Sequence, residues 1–324
     1  MEYRTLGRSG ITVSRLCLGA MMFGGPTDAA ASARIIARAA EAGFTFLDTA
    51  DVYNGGRSEE IVGEILGADR GGWIIATKLG NAMGRSPNMA GLSRRWIQQA
   101  VEGSLRRLRS DAIDLLYLHR EDPATPLETT VAALADVIRA GKVRQIGLSN
   151  FRAWRMAEFC RLCDQAGIDR PVVTQPLYNA LNRQAEVEQI PAAMHYGLAV
   201  FPYSPLARGV LTAKYAPGAE PAPDSRAARK DKRLLETELR AESLEIAQAI
   251  RTHAEARGIA PSHFALQWVP RNPGVTGCVV GPRTTAQLED YIAALAAGWG
   301  AEDEELVDRL VSPGHPSTPG YNDP

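Results

Sequence analysis

The sequence predicts a (β/α)8 TIM barrel with an N-terminal β-hairpin and long loops at the C-terminal face. Short apolar runs recur at about 15–19, 44–48, 73–77, 113–118, 143–148, 172–175, 198–202 and 277–281. Nearly every run is followed by a stretch with apolar residues at helical spacing, and 324 residues is a length at which such a barrel is a single unit. Eight βα units in this order fit a closed parallel barrel better than an open doubly wound sheet. One domain over 1–324 is expected, with an irregular Pro- and Gly-rich tail from about 312 to 324.

The elements follow in turn. Residues 2–14 read as a hairpin turning at Gly10, and Leu16–Leu18 as the first buried strand. Gly19 then opens a loop through Met21, Met22 and Phe23, where glycine admits close backbone approach and Met and Phe offer an apolar wall. Asp28 is placed to cap a helix that Gly43 closes. Phe44, Phe46 and Leu47 lead to Asp48, with Tyr53 five residues on. Ser58 is expected to cap the next helix, which Gly67 stops. The run from Trp73 to Thr77 ends at Lys78, Ser93 caps a helix, and Ile113–Leu118 ends at His119.

Thr125-Pro126-Leu127-Glu128 reads as a cap, a first-turn proline and a capping box, with Gly141 closing that helix. Val143–Leu148 ends at Ser149-Asn150, a helix of about 152–166 follows, and Val172–Thr174 ends at Gln175. A shorter helix near 186–195 contains Pro191, and Leu198–Pro202 leads to Tyr203-Ser204-Pro205-Leu206. Residues 216–233 are too polar for core and too long for an ordinary connection, which suits a lid at the catalytic face. Helices at about 237–257 and 261–269 precede the last strand, and Thr284 or Thr285 caps a final helix.

Composition narrows the class. A net charge of -1 and a pI near 6.5 give no broad attraction to nucleic acid or anionic membrane. No apolar run is long enough to span a bilayer, and the first residues lack a signal-peptide core, so the expectation is a soluble cytoplasmic protein. Cys160 and Cys163 form a CxxC pair, but within a helix and without a second ligand pair, so packing rather than metal or redox chemistry is expected. No metal site is expected.

In such a barrel the strand C-termini share one rim, which collects Asp48, Lys78, His119, Ser149, Asn150, Gln175, Tyr203 and Gly281, with Tyr53 just beyond. A phenol near pKa 10 exchanges protons poorly at neutrality. A neighbouring Lys78 ammonium, held by Asp48, is expected to lower that pKa, while His119 donates to a carbonyl oxygen. These groups can protonate a developing alkoxide but supply no electrophile or acyl-transfer nucleophile, so a carbonyl reduction would need hydride from a cofactor. Neither a G-x-G-x-x-G nor a P-loop motif occurs. A nicotinamide would rest instead on amide-reading Ser149, Asn150 and Gln175, a stacking Tyr203, and Arg283 beside a helix N-terminus.

Asp48-Thr49-Ala50-Asp51-Val52-Tyr53, Ile75-Ala76-Thr77-Lys78, Asp114-Leu115-Leu116-Tyr117-Leu118-His119, Gly141-Lys142-Val143-Arg144 with Ile146-Gly147-Leu148-Ser149-Asn150-Phe151, and Tyr203-Ser204-Pro205-Leu206 together resemble the aldo-keto reductases, in order over about residues 3–295. The long form of the chain is most similar to the bacterial enzymes and potassium-channel β subunits of that family. The resemblance implies a tetrad of Asp48, Tyr53, Lys78 and His119 with Tyr53 as proton donor, and NADPH/NADP+ as cofactor, bound in an ordered fashion. It implies that Ser149, Asn150 and Gln175 hold the carboxamide and that Tyr203 stacks on the nicotinamide. Leu206, Lys214 and Arg226 would reach the pyrophosphate, and Gly281, Arg283, Gln287 and Asp290 the adenosine 2′-phosphate end, with Gly19, Met21, Asp48 and Ser204 completing the contacts. Tyr291 stands where the family commonly has an Asn, and Arg283 where several relatives carry a small hydroxyl residue. The implied partner is a small carbonyl substrate, and homo-oligomers occur among the relatives. The alternative is an NADP(H)-binding redox-sensing or regulatory subunit with slow turnover. The substrate pocket is expected between Met21, Met22, Phe23, Tyr53, the 80–92 loop, Arg120 and the C-terminal tail. Arg120 there either recognises an anionic substrate or pairs with Glu121 or Asp122.

Overall fold

Alternation along eight short strands decides the architecture. A strand turns successive side chains to opposite faces, and here both faces are apolar, as expected of parallel strands covered on each side. The computed structural model describes residues 1–67, 70–216, 218–223 and 225–317. Its barrel strands are β3 (Leu16–Gly19), β4 (Phe46–Asp48), β5 (Ile74–Leu79), β6 (Ile113–Leu118), β7 (Val143–Ser149), β8 (Val173–Gln175), β9 (Ala199–Val200) and β10 (Cys278–Val280). They form one parallel sheet in the order β10-β3-β4-β5-β6-β7-β8-β9. Backbone bonds from Thr276 N to Val200 O and from Val279 N to Pro202 O, both 2.9 Å, bring the two ends of that order together. The expected (β/α)8 barrel is the fold observed.

The hairpin of β1 (Tyr3–Thr5) and β2 (Thr12–Ser14) sends Leu6 and Val13 into the barrel's inner cluster, alongside Cys17, Phe46, Leu115, Tyr117 and Phe201. The opposite strand faces, including Leu18, Leu47, Ile75, Leu116, Leu148 and Val280, pack in a larger cluster with the helices. Gly147 on β7 makes room for Tyr117, since a β-carbon there would lie 2.6 Å from its ring.

The helices are α1 (Ala29–Glu41), α2 (Arg57–Leu66), α3 (Arg94–Leu108), α4 (Leu127–Arg139), α5 (Ala153–Ala166), α6 (Gln189–Tyr196), α7 (Lys232–Glu236), α8 (Ala241–Ala256), α9 (Pro261–Trp268), α10 (Thr285–Ala294) and α11 (Ala301–Leu310). Asp28, Ser93 and Thr284 cap α1, α3 and α10 as expected, accepting from Ala31 N, Trp96 N and Gln287 N. Two expected caps are corrected. Ser58 lies inside α2, whose N-cap is Gly56, and its hydroxyl donates to Ala20 O at 2.7 Å. Thr125 does not cap α4 either: Pro126 is the N-cap, and the Thr125 hydroxyl donates to Asp122 Oδ2 at 2.6 Å.

The helix at Thr284 is not the last, because α11 follows it, buried along Asp303, Leu306 and Val307. The 216–233 segment, of which Pro217 and Asp224 lie outside the described residues, leads into the short α7. In the tail, residues 312–317 form neither helix nor strand, and residues 318–324 lie outside the described residues. Cys160 and Cys163 are free and buried, with burial first among the causes raising both thiols, Cys160 to about 11. Among the described residues no group of His, Cys, Asp and Glu could hold a metal ion. No described helix is long and apolar enough to cross a membrane.

Candidate active site

The inward parity of the strands, continued one step past the core, produces the site. Phe46 is followed on the same face by Asp48, Ala76 by Lys78, Tyr117 by His119, Gly147 by Ser149, Val173 by Gln175, Phe201 by Tyr203, Cys17 by Gly19 and Val279 by Gly281. Of these, Asp48, His119, Ser149, Gln175, Tyr203, Gly19 and Gly281 line a cleft of about 480 Å³ at the C-terminal end of the barrel. Lys78 is fully buried beneath it. Tyr53 reaches the same cleft from a short 3-10 turn, Tyr53–Gly56, in which Asn54 has φ 50° and anchors the loop by donating to Met21 O and Phe23 O.

The floor is closely bonded. Lys78 Nζ donates to Asp48 Oδ2, to Thr49 O at 2.9 Å and to Tyr53 Oη at 3.4 Å, and Gln175 Nε2 donates to Asp48 Oδ1 at 3.1 Å. The Tyr53 and His119 rings meet edge to face at 5.8 Å. Ser149 Oγ donates to Gln175 O at 2.9 Å, Asn150 Nδ2 to His119 O at 2.9 Å, and the Tyr203 hydroxyl to Asn150 Oδ1 at 2.9 Å. Burial works against the Lys78 ammonium, but Asp48 and Tyr53 outweigh it and keep its pKa raised.

Tyr53 corrects an expectation. Burial raises its pKa above the ordinary phenol value, and the opposing pull of Lys78 does not overcome it. Removing water from around a would-be phenolate costs more than one ammonium returns, because Asp48 already spends that ammonium's charge. His119 is held well below its usual pKa, first by burial and then by Lys78, Arg233 and Arg120, so its imidazole is neutral. Its Nδ1 is buried without a hydrogen-bond partner among the described residues.

Behind the floor stands a second buried polar layer, for which the sequence offered no sign beyond acidic residues at a helix start. Ser58 Oγ bonds Thr49 Oγ1 at 2.8 Å, and the fully buried Glu59 accepts from Thr77 Oγ1 at 2.5 Å and from Arg107 Nε of α3 at 2.7 Å. The first turn of α2 thereby ties together the ends of β3, β4 and β5. Asp51 lies in the same layer, its amide donating to Lys78 O at 3.0 Å. Its carboxyl has no side-chain hydrogen-bond partner among the described residues, and burial, then Glu59, push its pKa up to about 8.

The other end of the cleft is basic. Ser204, Leu206, Arg208, Lys214, Arg226, Arg283, Gln287, Asp290 and Tyr291 line it. Loss of water and then Arg283, Arg226 and Arg229 lower the Lys214 pKa. Arg226 is lowered too, first by burial, with Arg208 and Arg283 adding to it against the pull of Asp231. Ser204, Ala207, Arg208 and Ala213 all have φ between 47° and 60°, and Gly209 has φ 96°. So many left-handed residues in one loop are a costly conformation of the kind found at ligand clamps. Arg283 stands before α10 with its amide donating to Gln287 Oε1 at 2.7 Å, and Asp290 is bonded to His263 at 2.9 Å.

The expected substrate wall is only partly borne out. Met21, Met22, Tyr53 and Arg120 line the cleft, but Phe23 is fully buried elsewhere, the 80–92 loop contributes only Asn81, and none of the described tail residues 312–317 reaches it. Arg208, Thr212 and Arg233 line the cleft without having been singled out from the sequence. Arg208 lies in a kinked 3-10 stretch and Arg233 in a five-residue helix, both too short for an apolar period to mark which way a side chain faces.

A profile of the Aldo/keto reductase family matches residues 15–311. This chain belongs to that family. Relatives within it include a probable voltage-gated potassium channel subunit beta of Oryza sativa subsp. japonica, 36% identical over 91% of each chain. The uncharacterized oxidoreductase YrpG of Bacillus subtilis (strain 168) is 35% identical over 99% of each chain. Aflatoxin B1 aldehyde reductase member 2 of Homo sapiens is 42% identical over 61% of this chain and 55% of its own. The motifs on the strand ends and the family match therefore agree.

Proposed function

We propose that this aldo-keto reductase is an NADPH-dependent oxidoreductase that reduces an aldehyde or ketone to the alcohol. The observation that carries the reading is the convergence of Tyr53, Lys78, Asp48 and His119 at the floor of a cleft whose far end is a cluster of cations. The donor set suits a phosphate-bearing nicotinamide nucleotide. Ser149, Asn150 and Gln175 offer amide and hydroxyl groups near the floor, Tyr203 a flat ring, and Lys214, Arg226 and Arg283 a cluster of cations at the far end, of which Arg226 is paired with Asp231. Gly19 and Gly281 stand at the strand ends between them, where a β-carbon on Gly19 would press on Val279 at 3.0 Å. Arg283 beside the N-terminus of α10 favours an additional phosphate, hence NADPH over NADH.

When bound, the nucleotide supplies hydride to the carbonyl carbon. The chain's own residues act at oxygen. Neutral His119 donates a hydrogen bond to the carbonyl oxygen, and the Tyr53 hydroxyl, kept protonated by burial, gives its proton as the alkoxide forms. The Lys78 ammonium at 3.4 Å faces the tyrosinate once the proton leaves and offsets part of the cost of its burial. Asp48, itself held by Gln175, keeps that ammonium charged and aimed.

A second reading, a redox-sensing or regulatory subunit, is supported by the likeness to the probable voltage-gated potassium channel subunit beta of rice. Following nicotinamide absorbance with NADPH, then NADH, against aromatic aldehydes, dicarbonyls and sugar aldehydes separates the two. Steady multiple turnover with NADPH supports the reductase. A single slow turnover per bound nucleotide supports the sensor.

A further inference from the structure

The charges at the reacting end of the cleft do not balance, and the imbalance bears on the substrate; this step rests on the reductase reading above. Four ionised groups there cancel in pairs. Lys78 is answered by Asp48, and Glu121, which also lines the cleft, accepts from Arg152 N at 2.6 Å and faces Arg155 Nε at 3.6 Å. Asp122, the other acid beside Arg120, accepts from Leu92 N, Ala124 N and the Thr125 hydroxyl. Arg120 therefore does not form the rim salt bridge considered from the sequence, and it is exposed on the cleft wall directly after His119.

Arg233 arrives from the opposite side, on the first turns of α7, and is also exposed on the cleft wall. Among the described residues neither guanidinium has a carboxylate within ion-pairing distance. Both line the same cleft as Tyr53 and His119, and both charges bear on His119, that of Arg233 also on Tyr53. Beside them Met21 and Met22 give the cleft an apolar wall.

We propose that the substrate is an aldehyde or ketone that carries an oxyanion, a carboxylate or a phosphate, on a short spacer, with Arg120 and Arg233 receiving that group while the carbonyl meets Tyr53 and His119. The planar donor fork of arginine matches both oxyanions. Two cations at the mouth also steer an anion toward the cleft, an effect that salt weakens.

The test compares kcat/KM for 4-carboxybenzaldehyde, its neutral methyl ester and 4-formylphenyl phosphate, in the NADPH-loaded full chain and in Arg120→Ala, Arg233→Ala and the double variant. Arg120→Lys serves as the conservative control. The expected result is a preference of tenfold or more for an anionic aldehyde over the ester, expressed chiefly in KM and reduced by added salt. That preference should fall severalfold in each single variant, be lost in the double variant, and be partly regained with lysine. The acid and the phosphate ester distinguish which oxyanion fits better. Equal use of ester and acid, or a preference that survives the double variant, overturns the proposal while leaving the reductase reading intact. Loss of NADPH affinity in the variants shows the arginines serving the nucleotide and overturns it too. No turnover of any of these aldehydes or of the wider carbonyl panel despite tight NADPH binding removes the reductase reading, and the proposal with it.

Discussion

The two ends of the cleft are built on opposite principles. At the floor, beneath the exposed Arg120 and Arg233, the buried charges are answered within the protein: Asp48 holds Lys78, Gln175 holds Asp48, and Arg107 holds the buried Glu59 behind them. At the far end Arg283 and Arg226 lower the proton affinity of Lys214, Arg283 lowers that of Arg226, and among the described residues only Asp231 offers Arg226 a counter-charge, at 3.2 Å. The floor is complete without a ligand, so its geometry is preorganised for chemistry. The basic end gains from a ligand what the fold withholds, and it stores that gain as repulsion and left-handed backbone. Under the proposed function, the bonded floor would serve rate and the electrostatically unfinished far end affinity.

The sharpest way to break the contrast is Tyr53→Phe. Loss of the proton donor should lower kcat by about 10²–10⁴-fold, with NADPH binding, followed by quenching of protein fluorescence, nearly unchanged. Normal turnover would remove Tyr53 from its proposed role. Next in size is Arg107→Ala, which leaves fully buried Glu59 without its cation and should cost about 3–5 kcal/mol of stability in denaturant unfolding. An unfolding midpoint equal to the parent's would mean that the layer behind the floor bears no strain.

At the other end, Arg283→Ala removes a charged hydrogen-bond donor and should weaken NADPH by about 1.5–3 kcal/mol, while NADH changes little. Equal losses for the two nucleotides would take away the 2′-phosphate argument. A pH dependence at Asp51 tests the layer behind the floor. Its carboxyl binds protons up to about pH 8 in the folded chain but only to about 3.8 when unfolded. Between those values the unfolded chain holds fewer protons, so stability falls as pH rises across that window and levels off above it. Asp51→Asn should flatten this slope in unfolding experiments at pH 5 and pH 8. An unchanged slope would place the titration elsewhere.

Strand ends were legible in the sequence for a physical reason: a strand buried on both faces is a short apolar run, and the polar residue that stops it is the one that lines the cleft at the rim. Asp48, His119 and Gln175 could be found this way. Helix starts were less legible. Ser58 and Thr125 have the chemistry of caps, but each hydroxyl is drawn to a tertiary partner, Ala20 O and Asp122. The direction of the Tyr53 shift was missed because spacing reveals a neighbouring ammonium but not the depth of burial. Arg233 and Arg208 sit in helical segments too short to carry a period from which to read a facing direction, and α11 follows a stretch that had read as the chain's last helix. The α2 layer was invisible because Glu59 looks like any acid in a first helical turn until Thr77 and Arg107 are seen to meet it.

The seam of the barrel has a consequence for how the chain is made. Leu16 pairs with Cys278, Cys17 with Val279 and Leu18 with Val280. The earliest barrel strand therefore cannot find its neighbour on that side until the last one has been synthesised. At roughly 5–20 residues per second, that interval is on the order of tens of seconds. Throughout it β3 offers an unpaired edge of apolar sequence, the kind of surface that joins strangers. A nascent chain of this protein is thus exposed to aggregation longest at its oldest strand. A ribosome stalled shortly before Cys278 would carry a barrel with seven staves and no lock.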